Sequence, residues 1–186
     1  MKPLTLFFIT LVLLTSCSTN TPETTPITPS DLTGKLFLFA PELDTASCKV
    51  YGKCDCCMDD LFFVDDTHFV RDLYCVEADD IRQGTYRLEN NTVILNYDAE
   101  FVKAEYNWER DRDNTKNAPE HLVSLRRGDR FSDTLFTSEC KGSLVLMDRG
   151  SESMFYGQID PQQKPETFKL QLQDAKIWEK LRLMRK

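Results

Sequence analysis

The chain is 186 residues long, carries a formal net charge of −7, and has two His and seven Gly. An acidic surface of this kind repels nucleic acid and anionic lipid headgroups, and no basic run with interleaved aromatics offsets it, so nucleic acid is excluded as a partner. So few His and Gly also leave little room for a His-based catalytic centre or a Gly-rich phosphate loop.

Residues 1–16 carry the three parts of an export signal. Lys2 is the positive n-region, Leu4 to Leu14 form an apolar run broken by Thr5 and Thr10, and the small residues Thr15 and Ser16 precede Cys17. About 20 apolar residues are needed to span a bilayer, so the run is too short for an ordinary transmembrane helix. Leu14-Thr15-Ser16-Cys17 resembles the lipobox of bacterial lipoproteins. That resemblance implies a signal peptide over 1–16 and a mature chain beginning at Cys17, with lipid on its thiol as a thioether. Each buried methylene contributes about 0.8 kcal/mol, so two or three acyl chains anchor a protein stably. The expected location is the bacterial cell envelope, anchored in the outer membrane and facing the periplasm.

With the lipidated Cys17, residues 17–31 form a Thr/Pro-rich stretch almost free of apolar residues, which cannot bury a core and reads as a flexible tether. Residues 32–186 are long enough for one domain with a proper core. Lys35 to Ala40 is a first short strand, stopped by Pro41. Residues 43–60 hold four cysteines and several turn formers, and read as a stapled loop. Six cysteines follow Cys17: Cys48, Cys54, Cys56, Cys57, Cys75 and Cys140. An even number in an exported chain predicts disulfides. Excluding the direct neighbours Cys56 and Cys57 as a pair still leaves about a dozen complete pairings open.

Beyond the cysteines the strand signals sharpen. Leu61 to Val64 and His68 to Val76, joined by Asp65-Asp66-Thr67, predict a hairpin. Gly84 to Leu88 and Thr92 to Tyr97 predict a second, turning at Asn90-Asn91. Phe101 to Trp108, His121 to Leu125, Thr134 to Ser138, Ser143 to Met147 and Ser153 to Ile159 are further strands, with a charged loop over 109–120. Phe168, Leu170 and Leu172 alternate with polar residues and predict a half-buried strand. Ile177, Leu181 and Met184 share one helical face, which predicts a basic C-terminal helix over 174–186 packed on the barrel. Many short strands with tight turns and one terminal helix define an all-β antiparallel meander, and closing it into a barrel removes exposed edges.

The stretch from Cys54 to Val70 is similar to the start of the NlpE-like copper-resistance lipoproteins. A C-x-x-C, here Cys54 and Cys57, precedes an apolar strand, a tight turn at Asp66-Thr67 and a second strand. Gly84-Thr85-Tyr86 followed by Val93-Ile94-Leu95 resembles that family's next hairpin, and Leu144 to Gly150 its later strand and turn. The resemblance runs over about residues 48–150, with a long insert near 99–140. Small lipocalin-like bacterial lipoproteins share the Gly-Thr-Tyr hairpin. The resemblance implies a calycin or lipocalin-like barrel and a non-enzymatic outer-membrane lipoprotein tied to copper tolerance and envelope-stress sensing, with an envelope protein as partner.

Cys54, Cys56, Cys57 and Met58 put four sulfurs within five positions. Thiolates and thioethers select Cu(I) or Zn(II), so Cys54 and Cys57 are the alternative metal ligands and copper or zinc the alternative cofactor. In an oxidising compartment structural disulfides take precedence, and no cofactor is expected. His68 beside Asp66 has no Ser or Cys nucleophile at a recognisable spacing, so a surface role is expected and no catalytic residue is assigned. Asp59-Asp60, Asp65-Asp66 and Asp79-Asp80 lack the spacing of a calcium loop and read as turn residues on a solvated rim. An eight-stranded barrel either holds one small apolar ligand or is filled by its own side chains. The aromatics, Phe62, Phe69, Tyr86 and Tyr97 among them, are expected to do the filling.

Overall fold

Leu61, Phe62 and Phe63 follow one another in sequence and are all fully buried. Successive strand residues point to opposite faces, so this strand must be covered on both sides. The computed structural model, which describes residues 26–52, 57–75, 78–112, 118–149, 154–160, 163–174 and 177–181, shows what covers it.

Eight strands close an antiparallel barrel: β1 (Leu36–Ala40), β4 (Cys57–Phe63), β5 (His68–Cys75), β6 (Ala78–Glu89), β7 (Thr92–Tyr97), β10 (Ser132–Cys140), β11 (Ser143–Arg149) and β12 (Met154–Ile159). Each pairs with the next around the ring, and β12 pairs back onto β1, so the barrel is an up-and-down meander. Two excursions leave it. A small hairpin of β2 (Glu42–Asp44) and β3 (Lys49–Tyr51) follows β1, where a stapled loop was expected. A second hairpin, β8 (Glu100–Tyr106) and β9 (His121–Arg127), with the short helix α1 (Trp108–Arg112) after β8, extends the sheet beyond the barrel rim. The long strand β6 makes this possible. Its first half pairs with β8, its second half with β7, and its other edge with β5.

The turns follow the residues that tolerate positive φ. Asn90 sits at φ 55° in the two-residue turn between β6 and β7, as the Asn pair predicts. Lys141 and Gly142, at φ 50° and 83°, join β10 to β11. Two glycines are required by close approach. A Cβ on Gly84 would lie 2.0 Å from the Asn96 carbonyl oxygen, and one on Gly157 would lie 2.5 Å from the Phe39 ring.

Two apolar clusters cover the two faces of β4 and β5. The barrel interior packs Phe37, Phe39, Phe63, Phe69, Tyr86 and Leu135 with their neighbours. Outside, Phe62, Val70, Ile81 and Val102 are covered by α2 (Pro165–Asp174) and the segment 177–181. The strand expected over 168–172 is therefore a helix. Of the helix expected over 174–186, residues 177–181 form a turn, and residues 175–176 and 182–186 lie outside the described residues. Pro165 takes the first helical position, where its missing N–H costs nothing. Phe168 and Leu172, four apart, both face the barrel, whereas Leu170 is 57 % exposed. The i, i+4 spacing, not the alternation, is the pattern realised. Among the described residues, no helix is long and apolar enough to cross a membrane.

One disulfide, Cys48–Cys140, ties the β2–β3 turn to the end of β10. Cys75 is also disulfide-bonded. Cys17, Cys54 and Cys56 lie outside the described residues. The backbone of Cys57 stands opposite that of Cys75 in the β4–β5 ladder.

Candidate functional site

Each face of β4 and β5 carries charged groups next to the apolar runs, before Leu61–Phe63 on β4 and after Phe69-Val70 on β5. Asp59 and Arg71 point into the barrel, and Asp60 and Asp72 point out of it. The sheet's two-residue period imposes that division.

Inside, Arg71 is 5 % exposed and anchors a polar plug. Its Nε donates to both oxygens of Asp59 at 2.9 Å, and its Nη2 donates to Asp59 Oδ2 at 2.5 Å and Asp148 Oδ2 at 2.7 Å. Nη1 donates to Tyr97 Oη at 2.6 Å and reaches Asp133 Oδ2 at 3.4 Å. The guanidinium also lies 5.3 Å from the centre of the Phe39 ring. Burial pushes the Asp59 and Asp133 carboxyls upward against the opposing pull of Arg71. Burial alone would lower the Arg71 guanidinium, but the Asp59 carboxylate outweighs it and holds the group firmly charged. At the same end of the barrel, Phe131 stacks on Tyr97 with ring centres 4.3 Å apart, and Arg82 lies over Phe101 and Phe131. Aromatic packing and this ionic plug thus occupy the barrel interior.

Outside, a cleft of about 680 Å³ opens between the barrel wall and α2. Its acidic wall is Asp60, Asp72 and Asp79 from three adjacent strands, with Tyr74, His121 and Asp160. Gln163, Thr167 and Gln171 form the opposite rim, where Gln163 donates to Gln171, and Phe168 and Leu172 supply apolar floor. Asp60 is 6 % exposed. Its Oδ1, and the Oδ1 of Asp72, are buried with no hydrogen-bond partner among the described residues. Burial, reinforced by Asp160, pushes Asp60 up to about 7. Burial, reinforced by Asp79, pushes Asp72 up to about 8. Tyr74 is raised to about 12 by burial and the surrounding carboxylates. Asp79 is raised by burial, opposed by His121. The cleft therefore collects carboxyl groups that favour a proton or a cationic partner.

The residues singled out in the sequence are spread across the fold. His68 binds Asp65 rather than Asp66: its Nδ1 lies 2.9 Å from Asp65 Oδ1, which also accepts the Thr67 and His68 backbone N–H groups. Burial is the largest single influence and raises Asp65, but the hydrogen bonds from Thr67 and His68 together outweigh it and hold the carboxyl at about 2. This constellation shapes a turn, and Asp66 accepts from Thr33. Asp59-Asp60 and Asp79-Asp80 are not rim turns but strand residues, split between the two faces. Among the described residues, no group of three or more His, Cys, Asp or Glu is placed to hold a metal ion. Sequence reading missed Arg71, Asp72, Asp133, Asp148 and Asp160. The signal was present: an Arg-Asp pair following Phe69-Val70 on a strand buried on both faces must itself be buried on both faces.

A closed eight-stranded antiparallel meander with one short C-terminal helix is a calycin-type β-barrel, as the sequence predicts. No protein-family model matches the chain, and no curated protein matches it. Among solved structures it is similar to a streptavidin-like protein from Bacteroides eggerthii, with 11 % identity and a TM-score of 0.53, covering 79 % of this chain and 93 % of that one. At that identity the likeness carries the fold alone. It agrees with the lipocalin-like part of the sequence resemblance.

Proposed function

We propose that the chain is a non-enzymatic, outer-membrane-tethered lipoprotein that binds its partner in the acidic cleft outside the barrel. The observation that carries this reading is the contrast between the two faces of β4 and β5. The interior is occupied by Arg71, its carboxylates and a packed aromatic core, whereas the exterior holds an open cleft walled by carboxyl groups, two of whose oxygens have no partner among the described residues. A small apolar ligand inside the barrel would have to displace this core. A binding role fits the cleft better than an enzymatic one, since no Ser or Cys nucleophile is among its described lining residues. The lipobox at Leu14 to Cys17 supports the tether, and the motifs shared with NlpE-like lipoproteins support an envelope-stress role. Copper or zinc at Cys54 and Cys57 rests on the sequence cluster alone.

The test uses a photo-crosslinking amino acid at Gln171 on the cleft rim, and separately at Arg87 on β6, in the full chain expressed in its envelope. Adducts at Gln171 and not at Arg87 are expected. Adducts at Arg87 alone, or at neither position, would overturn the cleft as the binding site. In the same cells Cys17→Ser should move the cleaved protein out of the membrane pellet, and its retention there would overturn the tether.

A further inference from the structure

The acidic cleft has a definite chemistry. Asp60 and Asp72 are directly opposite residues of β4 and β5, and the next pair outward on the same face is Met58 with Tyr74. Tyr74 in turn stands opposite Asp79 on β6. One wall is therefore a patch of closely spaced carboxyls and a phenol, built on three hydrogen-bonded strands. The facing wall is amide and apolar: Gln163, Thr167 and Gln171 beside Phe168 and Leu172. Among the described residues, no ion pair involves Asp60, Asp72 or Asp79, although a buried carboxylate is ordinarily paired. Asp60 is more than nine-tenths buried and lines the cleft, and one of its oxygens has no hydrogen-bond partner among the described residues.

We infer that the cleft binds a protonated amine carrying an apolar chain, its ammonium held between Asp60, Asp72 and Asp79 and its alkyl chain on Phe168 and Leu172. This rests on the reading of the cleft as the binding site and names the chemistry it takes. The volume of about 680 Å³ is that of a small-molecule site or of one side chain with its flanking backbone. An ammonium offers three N–H donors, which the carboxyl groups of Asp60, Asp72 and Asp79 on the cleft wall can accept. Tyr74, on the same wall as the carboxyls, adds cation–π attraction. A hard divalent ion would need six to eight converging oxygens, and the described side chains do not converge in that way.

The pH dependence follows from the groups that face the site. These are Asp60 from β4, Asp72 and Tyr74 from β5, Asp79 from β6, His121 from β9 and Asp160 after β12. From α2 the cleft receives the neutral Gln163, Thr167 and Gln171, while Lys169 lies 4.9 Å over the Phe62 ring. The amine stays protonated up to about pH 10, whereas Asp60 and Asp72 ionise near 7 and 8. Affinity therefore rises with pH between about 6 and 9.

Two sources share this chemistry, a free alkylamine and a lysine side chain of a polypeptide, and one experiment separates them. The full mature chain is titrated with hexylamine, with N-acetyl-lysine-N-methylamide, with hexanol and with calcium chloride, following the backbone amides of α2 by NMR at pH 5.5 and 8.5. Saturable shifts at Thr167 and Gln171 with hexylamine or the capped lysine, about tenfold tighter at pH 8.5, are expected, with hexanol at least tenfold weaker. Tighter binding of the capped lysine assigns the site to a polypeptide, and tighter binding of hexylamine assigns it to a free amine. Asp72→Asn should weaken binding about tenfold. Gln171→Lys, a change on the exposed rim that leaves the core untouched, should weaken it by filling the cleft with a tethered ammonium. Equal response to hexanol and hexylamine, or shifts with calcium alone, would overturn the inference. If crosslinks form at Gln171 while both amines are silent, the cleft stands as a binding site and the amine chemistry fails. If the amines bind while partner crosslinks map elsewhere, the reading of the cleft as the partner site fails.

Discussion

Asp60 on β4 and Asp72 on β5 stand directly opposite one another, and each keeps its Oδ1 buried without a hydrogen-bond partner among the described residues. Like charges directly opposite destabilise a sheet, and an unpaired buried carboxylate costs more still. In the absence of a bound cation, the pair stays protonated well above the usual aspartate range.

This arrangement sets the pH dependence of stability. An aspartate in the unfolded chain titrates near 3.9, whereas burial raises Asp60 to about 7 and Asp72 to about 8. Below about pH 4 both states hold these protons. Between about 4 and 8 the folded state keeps protons that the unfolded state has released, so stability falls as pH rises through this window. The unbound protein is expected to melt at a higher temperature at pH 5 than at pH 8.5. Asp72→Asn, which mimics the neutral acid, should raise the melting temperature at pH 8.5 and change little at pH 5. A gain on the order of 1–3 kcal/mol at pH 8.5 is expected. Calorimetry of both proteins at the two pH values checks this, and equal effects of the mutation at both would contradict it.

Arg71 bridges the three carboxylates of Asp59, Asp133 and Asp148. Arg71→Met removes the cation and leaves buried acids facing one another. Breaking a buried pair in this way costs about 3–5 kcal/mol. Urea unfolding at pH 7 should show a loss of that order, with partial recovery at pH 5 where the acids take up protons. Arg71→Lys should be only partly compensated, because an ammonium cannot reproduce the fork that reaches Asp59, Asp148 and Tyr97 together. A loss under about 1 kcal/mol for Arg71→Met would mean the plug contributes packing alone.

Cys48–Cys140 joins residues 92 apart in sequence and fastens the β2–β3 turn to the β10–β11 end of the barrel. Removing it with the double change Cys48→Ala and Cys140→Ala should cost about 2–4 kcal/mol. Thermal melting of oxidised protein, compared with the variant, reads the difference directly. A variant as stable as the parent would assign the cysteines a role other than stapling.

The barrel was legible in the sequence because its hairpins carry local signals. Asp65-Asp66-Thr67 and Asn90-Asn91 mark turns, and the alternation of Val93, Leu95 and Tyr97 gives β7 its inward face. The first half of β6, residues 78–83, was not legible, since Asp79, Asp80 and Arg82 hide a strand that is paired on both edges. The helix at Pro165 is hidden in the sequence because Phe168, Leu170 and Leu172 alternate as a strand does, while Phe168 and Leu172 also fit one helical face. Only the outer face of β4 and β5 decides between them. The acidic cleft could not be read at all, because Asp60, Asp72, Asp79 and Asp160 come together only when the barrel closes and α2 folds over it.

The most direct measurement is a carboxyl carbon NMR titration of the aspartates in the ligand-free protein. The account predicts midpoints near 7 for Asp60 and near 8 for Asp72, and it predicts that an amine bound in the cleft draws both downward. Midpoints for both near 4, unchanged by amine, would show these carboxyls to be solvated and would contradict the cleft as a site for a cationic partner.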